Sequence, residues 1–324
     1  MHTLKELQNR IGEAFGDTRF IHQPTHLYEP IAYTLDQGGK RLRPVLVLLS
    51  CELFGGDIEE AVFPSMGLEI FHNFTLLHDD IMDHAPLRRG KETVHQKWDV
   101  NTAILSGDTM FVLAYEFVAK TNPKLLPQVL DLFNYTARKV CEGQQYDMNF
   151  ETQTEVSIDD YMMMIRLKTA VLIACSMKLG AIIAGADTFS ADKIYAAGIE
   201  LGLAFQLQDD FLDAFGDISK FGKTIGGDIA TNKKTYLFLK SHQLADAQTR
   251  QNLTDLFLGS GTDSDKKISG IIEIYKQLHI DEITRMEIEK HHKNALEILA
   301  SLNFGKNSKG ELLSLMDEML CRER

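Results

Sequence analysis

The sequence predicts an all-α fold, and two observations carry that prediction. All seven prolines of the 324-residue chain lie between Pro24 and Pro127, which leaves the whole C-terminal part of the chain without one. Because proline lacks the backbone N–H and clashes within a helix, its absence permits long helices. Apolar residues also recur three and four positions apart, the period of one helix face, whereas alternating strand patterns are scarce.

Three apolar patterns place predicted helices along the chain. In order, they are Ile70-Phe71-Phe74-Leu77, Ile158-Tyr161-Met162-Ile165-Val171, and Ile194-Ala197-Leu201-Ala204-Phe205-Gln208. Glycine-rich, proline-containing and polar segments predict the breaks between helices. These segments are Gly38-Gly39, Gly55-Gly56, Arg89-Gly90, Thr121-Asn122-Pro123, Gly185-Ala186-Asp187, Gly222 to Gly227, and Gly259 to Asp265. None is long enough to be a linker, so we expect residues 1–324 to form one all-α domain, wide enough to enclose a cavity.

The overall composition excludes several classes of protein. Hydrophobic residues make up 44% of the chain and charged residues 25%, as in ordinary soluble globular proteins. A net charge of −12 argues against a nucleic-acid-binding protein, which needs a broad basic surface. No segment has the pattern of a membrane span or a signal peptide. The four widely spaced cysteines fit no zinc motif and are expected to be reduced core thiols of a cytoplasmic protein: Cys51, Cys141, Cys175 and Cys321.

An acidic motif occurs twice, each time at the end of an apolar run with a helical pattern. The two copies are Asp79-Asp80-Ile81-Met82-Asp83 and Asp209-Asp210-Phe211-Leu212-Asp213. Positions four apart share a helix face, so the first and last aspartate of each copy would present two carboxylates to one side. A solvated acidic helix end is the simpler interpretation of one copy. The apolar segments before both copies predict burial, however, where carboxylates without a cation are costly.

Oxygen-only ligands of this kind suit magnesium, which bridges carboxylates to substrate phosphates. We therefore expect the two acidic faces to oppose each other across a cavity and to hold metal ions and, through them, a diphosphate.

Several basic segments are candidates for direct phosphate contacts. Gly38 to Pro44 places three cations beside a flexible glycine pair, and Arg88 to Lys91 closely follows the first acidic motif. Arginine matches phosphate oxygens with two parallel hydrogen bonds, so the two segments could serve two different diphosphates. A solvated turn is the commoner explanation of any single basic segment, and only the coincidence with the acidic motifs favours phosphate binding.

Further candidates lie within and after the predicted helices. Lys168-Thr169 falls inside an apolar helix predicted from Ile158 to Ile183, where a lysine is costly unless it faces a pocket. His72 lies two turns before Asp79 and near the same face, although a single histidine on an apolar helix is more often a core residue. Two lysine segments follow the second acidic motif without forming a P-loop: Gly222 to Asp228 and Asn232 to Thr235.

These residues resemble the trans-isoprenyl diphosphate synthases, the short-chain prenyltransferases. Eight segments match the family in order: GGKRLRP at Gly38 to Pro44, HDDIMD at His78 to Asp83, RRG at Arg88 to Gly90, GD at Gly107-Asp108, EGQ at Glu142 to Gln144, KT at Lys168-Thr169, FQLQDDFLD at Phe205 to Asp213, and GKTIGGD at Gly222 to Asp228. The basic C-terminus, Cys321 to Arg324, is similar to the family's tail over the active site. The resemblance implies an all-α bundle of the isoprenoid synthase type around a deep apolar cavity, normally a homodimer.

The resemblance also implies a role for each matching residue. The enzyme would hold a cluster of about three magnesium ions, which manganese can replace. Their principal ligands would be Asp79, Asp83 and Asp209, and Asp80 and Asp213 would support them. Asp210 would belong to the same catalytic group. The allylic diphosphate (dimethylallyl, geranyl or farnesyl) would be held by Arg88, Lys168, Lys223 and Lys233. Isopentenyl diphosphate would be held by Lys40, Arg43, His72 and Arg89. Thr169 and Gln206 would line the reacting centre, where the two substrates condense head to tail.

In this family, product length depends on the residues four and five before the first aspartate, here Thr75 and Phe74. On a helical wheel Thr75 lies beneath the metal face and Phe74 on a flank, so only the resemblance makes Phe74 a cavity floor. Core packing is the simpler interpretation of Phe74. A single aromatic there, with no insertion in the acidic motif, is similar to the archaeal-type geranylgeranyl pattern. We expect geranylgeranyl diphosphate as product, with farnesyl diphosphate as the alternative and Phe71 as a second floor residue.

Two other classes of protein share some of these features. A class I terpene cyclase also ionises allylic diphosphates from a DDxxD helix, but it needs no isopentenyl site and usually has a different second motif. A noncatalytic subunit of a prenyltransferase heteromer tends to lose acids from one motif, whereas all six aspartates are present here. The duplicated motif and the Gly38 to Pro44 segment therefore favour chain elongation.

Overall fold

The computed structural model describes residues 2–216, 226–259, 264–304 and 309–320. The helices are α1 (Leu4–Asp17), α2 (Thr25–Leu35), α3 (Leu42–Leu53), α4 (Ile58–Met82), α5 (Val94–Lys97), α6 (Val100–Val118), α7 (Leu126–Thr152), α8 (Ile158–Ile165), α9 (Val171–Ile183), α10 (Thr188–Phe215), α11 (Gly227–Ala230), α12 (Tyr236–Leu244), α13 (Ala247–Leu258), α14 (Ser264–Gln277), α15 (Ile280–Ala300) and α16 (Lys309–Leu320). Strands in the described ranges are limited to one antiparallel hairpin, β1 (Leu87–Arg88) with β2 (Lys91–Glu92). The all-α prediction is confirmed.

The apolar patterns and the predicted breaks correspond to these helices. The first pattern falls in α4 and the third in α10, and the breaks at Gly38-Gly39, Gly55-Gly56 and Gly185-Ala186-Asp187 all lie between helices. The predicted helix from Ile158 to Ile183 is present, but a π-helical turn, Arg166–Ala170, separates α8 from α9. Such turns are rare, and they are frequently found at functional sites.

The described chain divides into two compact units. Unit 1 comprises Met1–Asn134, Cys175–Asp192 and Phe304–Leu312. Unit 2 comprises Tyr135–Ala174, Lys193–Asn303 and Leu313–Arg324. The first acidic motif belongs to unit 1 and the second to unit 2. A single domain over residues 1–324 stays a prediction.

In unit 1, the close packing of α4 against α6 fixes the end of α4 that carries the first acidic motif. A glycine on each helix permits the approach. A Cβ atom on Gly67 of α4 would lie 2.7 Å from Val118 Cγ2, and one on Gly107 of α6 would lie 2.2 Å from His78 Nε2. At Gly67 the Cβ atom would also meet the backbone of α6, so the packing requires glycine there, whereas at Gly107 it would meet only the imidazole ring of His78.

In unit 2, α10 lies against the π turn and the start of α9, again through glycines. A Cβ atom on Gly198 would lie 2.5 Å from Ala174 Cα, and one on Gly202 would lie 2.4 Å from Ala170 Cα. The helix that carries the second acidic motif is therefore in direct backbone contact with the turn that carries Lys168 and Thr169.

The cysteine prediction is correct in part. Cys51 and Cys175 are buried, and burial raises the pKa of the Cys51 thiol to about 12. Cys141 is exposed, so its assignment to the core was wrong, because it lies on an outer face of α7. Cys321 lies outside the described residues. No described helix is both long enough and apolar enough to cross a lipid bilayer.

Candidate active site

The first acidic motif is held by an ion pair at the end of α4. Arg88 Nε donates a hydrogen bond of 2.7 Å to Asp80 Oδ1, and Arg88 Nη2 lies 3.8 Å from Asp79 Oδ2. Asp80 is only 5% exposed, and burial raises the pKa of this carboxyl to about 6 although Arg88 opposes the shift. Asp79 is half-buried, and Asp83, which ends the helix, is exposed. The outer two aspartates are therefore the ones accessible to a ligand.

The hairpin after α4 separates the two adjacent arginines. Its turn residues, Arg89 and Gly90, have φ values of 52° and 74°, as in the tight turns that join two-residue hairpins. Arg89 Nη1 donates a hydrogen bond to the Gly38 carbonyl, and a Cβ atom on Gly39 would lie 2.9 Å from the same guanidinium group. Arg88 thus reaches the acidic motif, while Arg89 reaches the glycine turn before α3.

His72 lies where three cations converge. Desolvation lowers the pKa of the His72 imidazole well below its usual value, and the positive charges of Arg43, Arg89 and Arg88 lower it further. A neutral histidine surrounded by guanidinium groups can donate to an anion without adding charge of its own. Lys40 is exposed in the same glycine turn. Four of the predicted isopentenyl contacts therefore belong to one neighbourhood of unit 1.

Sequence reasoning missed several polar residues beside these arginines. A small cavity lies next to the hairpin, and its lining includes Arg88, Arg89, Thr34, Gln37 and Asn73. None of the last three belongs to a matched segment, and each occurs in an ordinary helical context. Their position became recognisable only from the fold.

The second acidic motif, in α10, repeats the pattern of a buried central aspartate. Asp210 is 5% exposed and accepts hydrogen bonds from the Tyr161 hydroxyl and from Gln206 Nε2, the latter at 3.0 Å. Burial, followed by the charge of Asp228, raises the pKa of Asp210 well above its usual value. Gln206 Oε1 also accepts a hydrogen bond of 2.8 Å from Thr169, so the two residues predicted at the reacting centre are in contact.

Residues Gly226 and Asp228, which follow the second motif in the sequence, form hydrogen bonds to Asp213 of that motif. Asp213 Oδ2 accepts a hydrogen bond of 2.9 Å from the Asp228 backbone N–H, and the Asp213 carbonyl accepts one of 2.7 Å from Gly226. Gly226 has a φ of 79°, a conformation that favours glycine. The predicted allylic contact Lys223 lies outside the described residues.

Lys168, which the sequence predicts to face a pocket, is paired with a carboxylate. Its Nζ lies 2.5 Å from Asp147 Oδ2, and Lys233 Nζ lies 3.6 Å from the same oxygen. Burial raises the pKa of Asp147, but the charges of Lys233 and Lys168 outweigh burial and hold that pKa below its usual value. Both described lysines of the predicted allylic site therefore share one carboxylate, which sequence reasoning missed.

Two matched segments without an assigned role contain glycines that make room for site residues. A Cβ atom on Gly143, of the Glu142 to Gln144 segment, would lie 2.3 Å from the Lys168 backbone nitrogen. Gly107, of the Gly107-Asp108 segment, makes room for His78, the residue before the first acidic motif. These two glycines therefore allow close packing against Lys168 and His78.

The predicted chain-length residues form part of an aromatic cluster between α4, α6 and α7. Phe74 stacks on Phe111 of α6 with ring centroids 5.1 Å apart, and the fully buried Phe71 contacts Phe74, Phe111 and Phe133. Thr75 Oγ1 donates a hydrogen bond of 2.7 Å to the His72 carbonyl. The packing interpretation therefore applies to Phe71, while Phe74 is half-buried.

The donor set fits hard divalent ions that keep much of their own solvation. Within the described residues, no three histidine, cysteine or acidic side chains are assembled into a metal site by themselves. The partly exposed aspartates of each motif offer oxygen ligands only. A magnesium ion bound there would fill its remaining positions with water and phosphate oxygens, as is usual for magnesium.

Comparisons with known proteins identify one enzyme family. Residues 24–275 match the family model of the polyprenyl synthetases. A short chain isoprenyl diphosphate synthase of Methanothermobacter thermautotrophicus is 36% identical over 97% of this chain and 94% of its own length. A geranylgeranyl diphosphate synthase of Sulfolobus acidocaldarius is 34% identical over 92% of this chain and 91% of its own.

Solved structures agree with the sequence relatives. The crystal structure of a geranylgeranyl pyrophosphate synthase superimposes with a TM-score of 0.94 at 44% identity and covers 100% of both chains. Geranylgeranyl pyrophosphate synthetase from Pyrococcus horikoshii gives a TM-score of 0.90 at 34% identity, with 98% of this chain and 97% of that one covered.

An all-α fold with two aspartate-rich helix ends and converging cations defines an enzyme that acts on diphosphates. The chain belongs to the polyprenyl synthetase family, and it is a trans-prenyltransferase.

Proposed function

We propose that this enzyme condenses isopentenyl diphosphate head to tail with allylic diphosphates and that its product is geranylgeranyl diphosphate. The observation that carries the proposal is the divergence of Arg88 and Arg89. Arg88 pairs with the acidic motif that would hold the allylic diphosphate, whereas Arg89 turns away from it and donates a hydrogen bond to the Gly38 carbonyl, in the turn that carries Lys40. Two separate phosphate sites are what an elongating enzyme needs and what a cyclase does not.

The allylic diphosphate is assigned to Arg88, Lys168, Lys223 and Lys233. Isopentenyl diphosphate is assigned to Lys40, Arg43, His72 and Arg89. The matched motifs support this division, and so do the charges of Arg43 and Arg89, which act on His72 more strongly than the charge of Arg88 does. Thr169 and Gln206, which hydrogen-bond to each other, are assigned to the reacting centre.

The residues of the chain bind, orient and shield the substrates. Cations around the leaving diphosphate favour its departure as a stable anion. The allylic cation left behind is attacked by the isopentenyl double bond, and the released diphosphate takes the proton that the adduct loses. Exclusion of water by the closed site prevents the cation from being trapped as an alcohol.

Magnesium is the proposed cofactor, as a cluster of about three ions that manganese can replace. Asp79, Asp83 and Asp209 would be its principal ligands, supported by Asp80 and Asp213. Bound there, magnesium would stabilise the charge that develops on the departing diphosphate. Asp80 and Asp210 are the most buried acids of the two motifs, and their hydrogen bonds to Arg88 and Tyr161 suit them to orienting the motifs.

The assignment of product length rests on Phe74 and on the relatives. A half-buried aromatic ring stands five residues before Asp79, and α6 supports it through Phe111. Several similar proteins are geranylgeranyl diphosphate synthases, and others are geranylfarnesyl diphosphate synthases. Farnesyl diphosphate remains the alternative product.

We also propose that the enzyme acts as a cytoplasmic homodimer. An exposed, largely apolar stripe runs along α6 and contains Val100, Ile104, Leu105 and Val112, with the exposed Asp108 among them. A helix face of this kind is typical of a covered interface, and a second copy of the chain is the proposed partner.

One assay tests the function against its alternatives. The purified protein is incubated with magnesium and dimethylallyl or geranyl diphosphate, with and without isopentenyl diphosphate, and pyrophosphate release is followed. We expect release only when both substrates are present, and geranylgeraniol after dephosphorylation. Release from the allylic substrate alone, with a cyclic hydrocarbon as product, would identify a terpene cyclase. No release under any condition would identify a noncatalytic subunit.

A further inference from the structure

We propose that Asp147 is a positioning residue that holds Lys168 and Lys233 together in the arrangement that receives the allylic diphosphate. The proposal rests on the function proposed above and adds a residue to it. Asp147 lies five positions after Glu142 on α7 and belongs to none of the segments on which the resemblance depends.

The geometry places a single oxygen at the centre of the arrangement. Asp147 Oδ2 lies 2.5 Å from Lys168 Nζ and 3.6 Å from Lys233 Nζ. The two lysines come from distant parts of the sequence, one from the π turn and the other from the loop before α12. Asp147 is therefore the residue through which the two ammonium groups meet.

The charges of the three groups favour positioning over competition. Two ammonium groups this close repel each other, and the carboxylate between them offsets that repulsion. The trio keeps a net positive charge, so it still attracts an anion. The side chain of Asp147 is 14% exposed, whereas those of Lys168 and Lys233 are 23% and 39% exposed. The carboxylate is thus the inner group, and the ammonium groups remain more accessible to a diphosphate.

The backbone of α7 contributes to the same arrangement. Gly143 and Asp147 lie four residues apart and therefore on one face of the helix. The missing side chain at Gly143 lets the Lys168 backbone come close, and Asp147 receives the ammonium group of the same residue. The face of α7 formed by Gly143 and Asp147 fixes Lys168 at both ends of its side chain.

The main test measures binding, so that it does not depend on turnover. The probes are dimethylallyl thiodiphosphate, an allylic analogue that ionises very slowly, and isopentenyl diphosphate, each titrated calorimetrically with magnesium present. In Asp147→Asn we expect the dissociation constant of the allylic analogue to rise about tenfold or more, the effect of losing a charge-assisted contact, and that of isopentenyl diphosphate to stay nearly unchanged. Asp131→Asn, an exposed aspartate on the same helix, is the matched control and should change neither.

A second set of variants separates positioning from a general loss of structure. In a Lys168→Gln/Lys233→Gln background, Asp147→Asn should weaken the analogue no further, because the residues through which it acts are gone. An equal loss in that background would overturn the proposal. Tighter binding by Asp147→Asn would also overturn it, since the carboxylate would then compete with the diphosphate.

Two controls keep the outcome interpretable. If Asp147→Asn does not fold, Asp147→Glu keeps the charge but shifts it by one methylene, and it should weaken the analogue selectively. Equal weakening of both probes by Asp147→Glu would contradict a positioning role. Condensation by the wild type is measured in parallel, so a failure of the proposed reaction is distinguished from a failure of the binding effect.

Discussion

Each acidic motif has a buried aspartate beside two more accessible ones. Asp80 and Asp210 are almost fully buried and take hydrogen bonds from Arg88 and Tyr161, respectively. The partly exposed residue immediately before each of them, Asp79 or Asp209, is the better candidate for a metal ligand. At the residue scale, we therefore propose that the inner acids orient the motif and that the outer acids bind the metal ions.

We expect Asp79→Asn and Asp209→Asn each to lower turnover by about a hundredfold or more, because each removes a ligand acting on leaving-group charge. Steady-state pyrophosphate release at several magnesium concentrations measures the effect. Asp131→Asn should leave turnover unchanged. Wild-type turnover in either folded motif variant would contradict the assignment of metal ligands.

The adjacent arginines should affect different substrates. Arg88→Ala should chiefly weaken the allylic diphosphate and Arg89→Ala chiefly isopentenyl diphosphate. Each loses charge-assisted hydrogen bonds worth about 1.5 to 3 kcal/mol, or roughly ten- to a hundredfold in affinity. Titration of each variant with each substrate provides the measurement, and the reverse pairing would refute the assignment of the two sites.

The sequence pointed to the aspartates assigned to metal binding and to most of the cations assigned to the diphosphates, because charges at a helix end or beside glycines form recognisable local patterns. It did not predict Asp147 or Tyr161. An aspartate on a long amphipathic helix is indistinguishable from a solvated one, and a tyrosine in an apolar pattern is indistinguishable from core. Their roles depend on contacts with Lys168 and Asp210, which lie far away in the sequence.

At the scale of elements, the contact of α4 with α6 links the acidic motif to the aromatic cluster. Gly107 makes room for His78, and Phe111, one turn further along α6, stacks on Phe74. The same helix therefore supports both the metal end of α4 and the residue assigned to the cavity floor.

Gly107→Ala should disturb this contact. The new Cβ would lie 2.2 Å from His78 Nε2, and the resulting overpacking should cost on the order of 1 to 3 kcal/mol of stability and reduce turnover. Gly12→Ala is the control, since α1 offers open space there and the substitution should stabilise its helix slightly. Thermal unfolding of both variants, followed by calorimetry, separates the two outcomes. Unchanged stability in Gly107→Ala would show that the imidazole of His78 can move aside at little cost.

Phe74→Ala should lengthen the product. Loss of the ring deepens the space beneath the allylic chain, so we expect products longer than geranylgeranyl diphosphate. Chromatography of the dephosphorylated products from wild type and variant measures the shift. Phe189→Ala, which removes an exposed ring on α10, should leave the products unchanged. Identical products from Phe74→Ala and wild type would remove Phe74 from the control of chain length.

Long elements were predictable and short ones were not. The patterns of α4 and α10 repeat over several turns, so their period is clear in the sequence. The hairpin has two residues per strand, too few to alternate, and only its Arg89-Gly90 turn was recognised as a break. The π turn leaves a trace as an irregular spacing between Ile165 and Val171 in the apolar pattern. That trace was too short to interpret alone.

At the scale of the whole molecule, the apolar stripe on α6 should determine the oligomeric state. Leu105→Glu places a charge on a residue that is 57% exposed in one chain and would be desolvated in a homodimer. We expect light scattering to give twice the chain mass of 36.6 kDa for the wild type and a single chain mass for the variant. Ile21→Glu, at another exposed apolar position, should remain dimeric. A wild type that is monomeric at all concentrations would contradict the homodimer.

The fold class followed from the sequence because helical period and the absence of proline act along the entire C-terminal part of the chain. The two compact units did not follow, because each is assembled from three separate stretches. A change in composition marks the linker between two domains that follow each other in the sequence. A chain that passes several times between two compact units needs no such linker, so its sequence does not show where one unit ends.

The ends of α4 and α10 carry an electrostatic cost that has a thermodynamic consequence. The C-terminal end of a helix is the negative end of its dipole, and neither helix has a basic residue in its last turn, although both carry aspartates there. The ligand-free fold therefore retains repulsion that bound cations would relieve. By mass action, occupancy of the site must raise the free energy of unfolding, so the melting temperature of the enzyme should itself report how much ligand is bound.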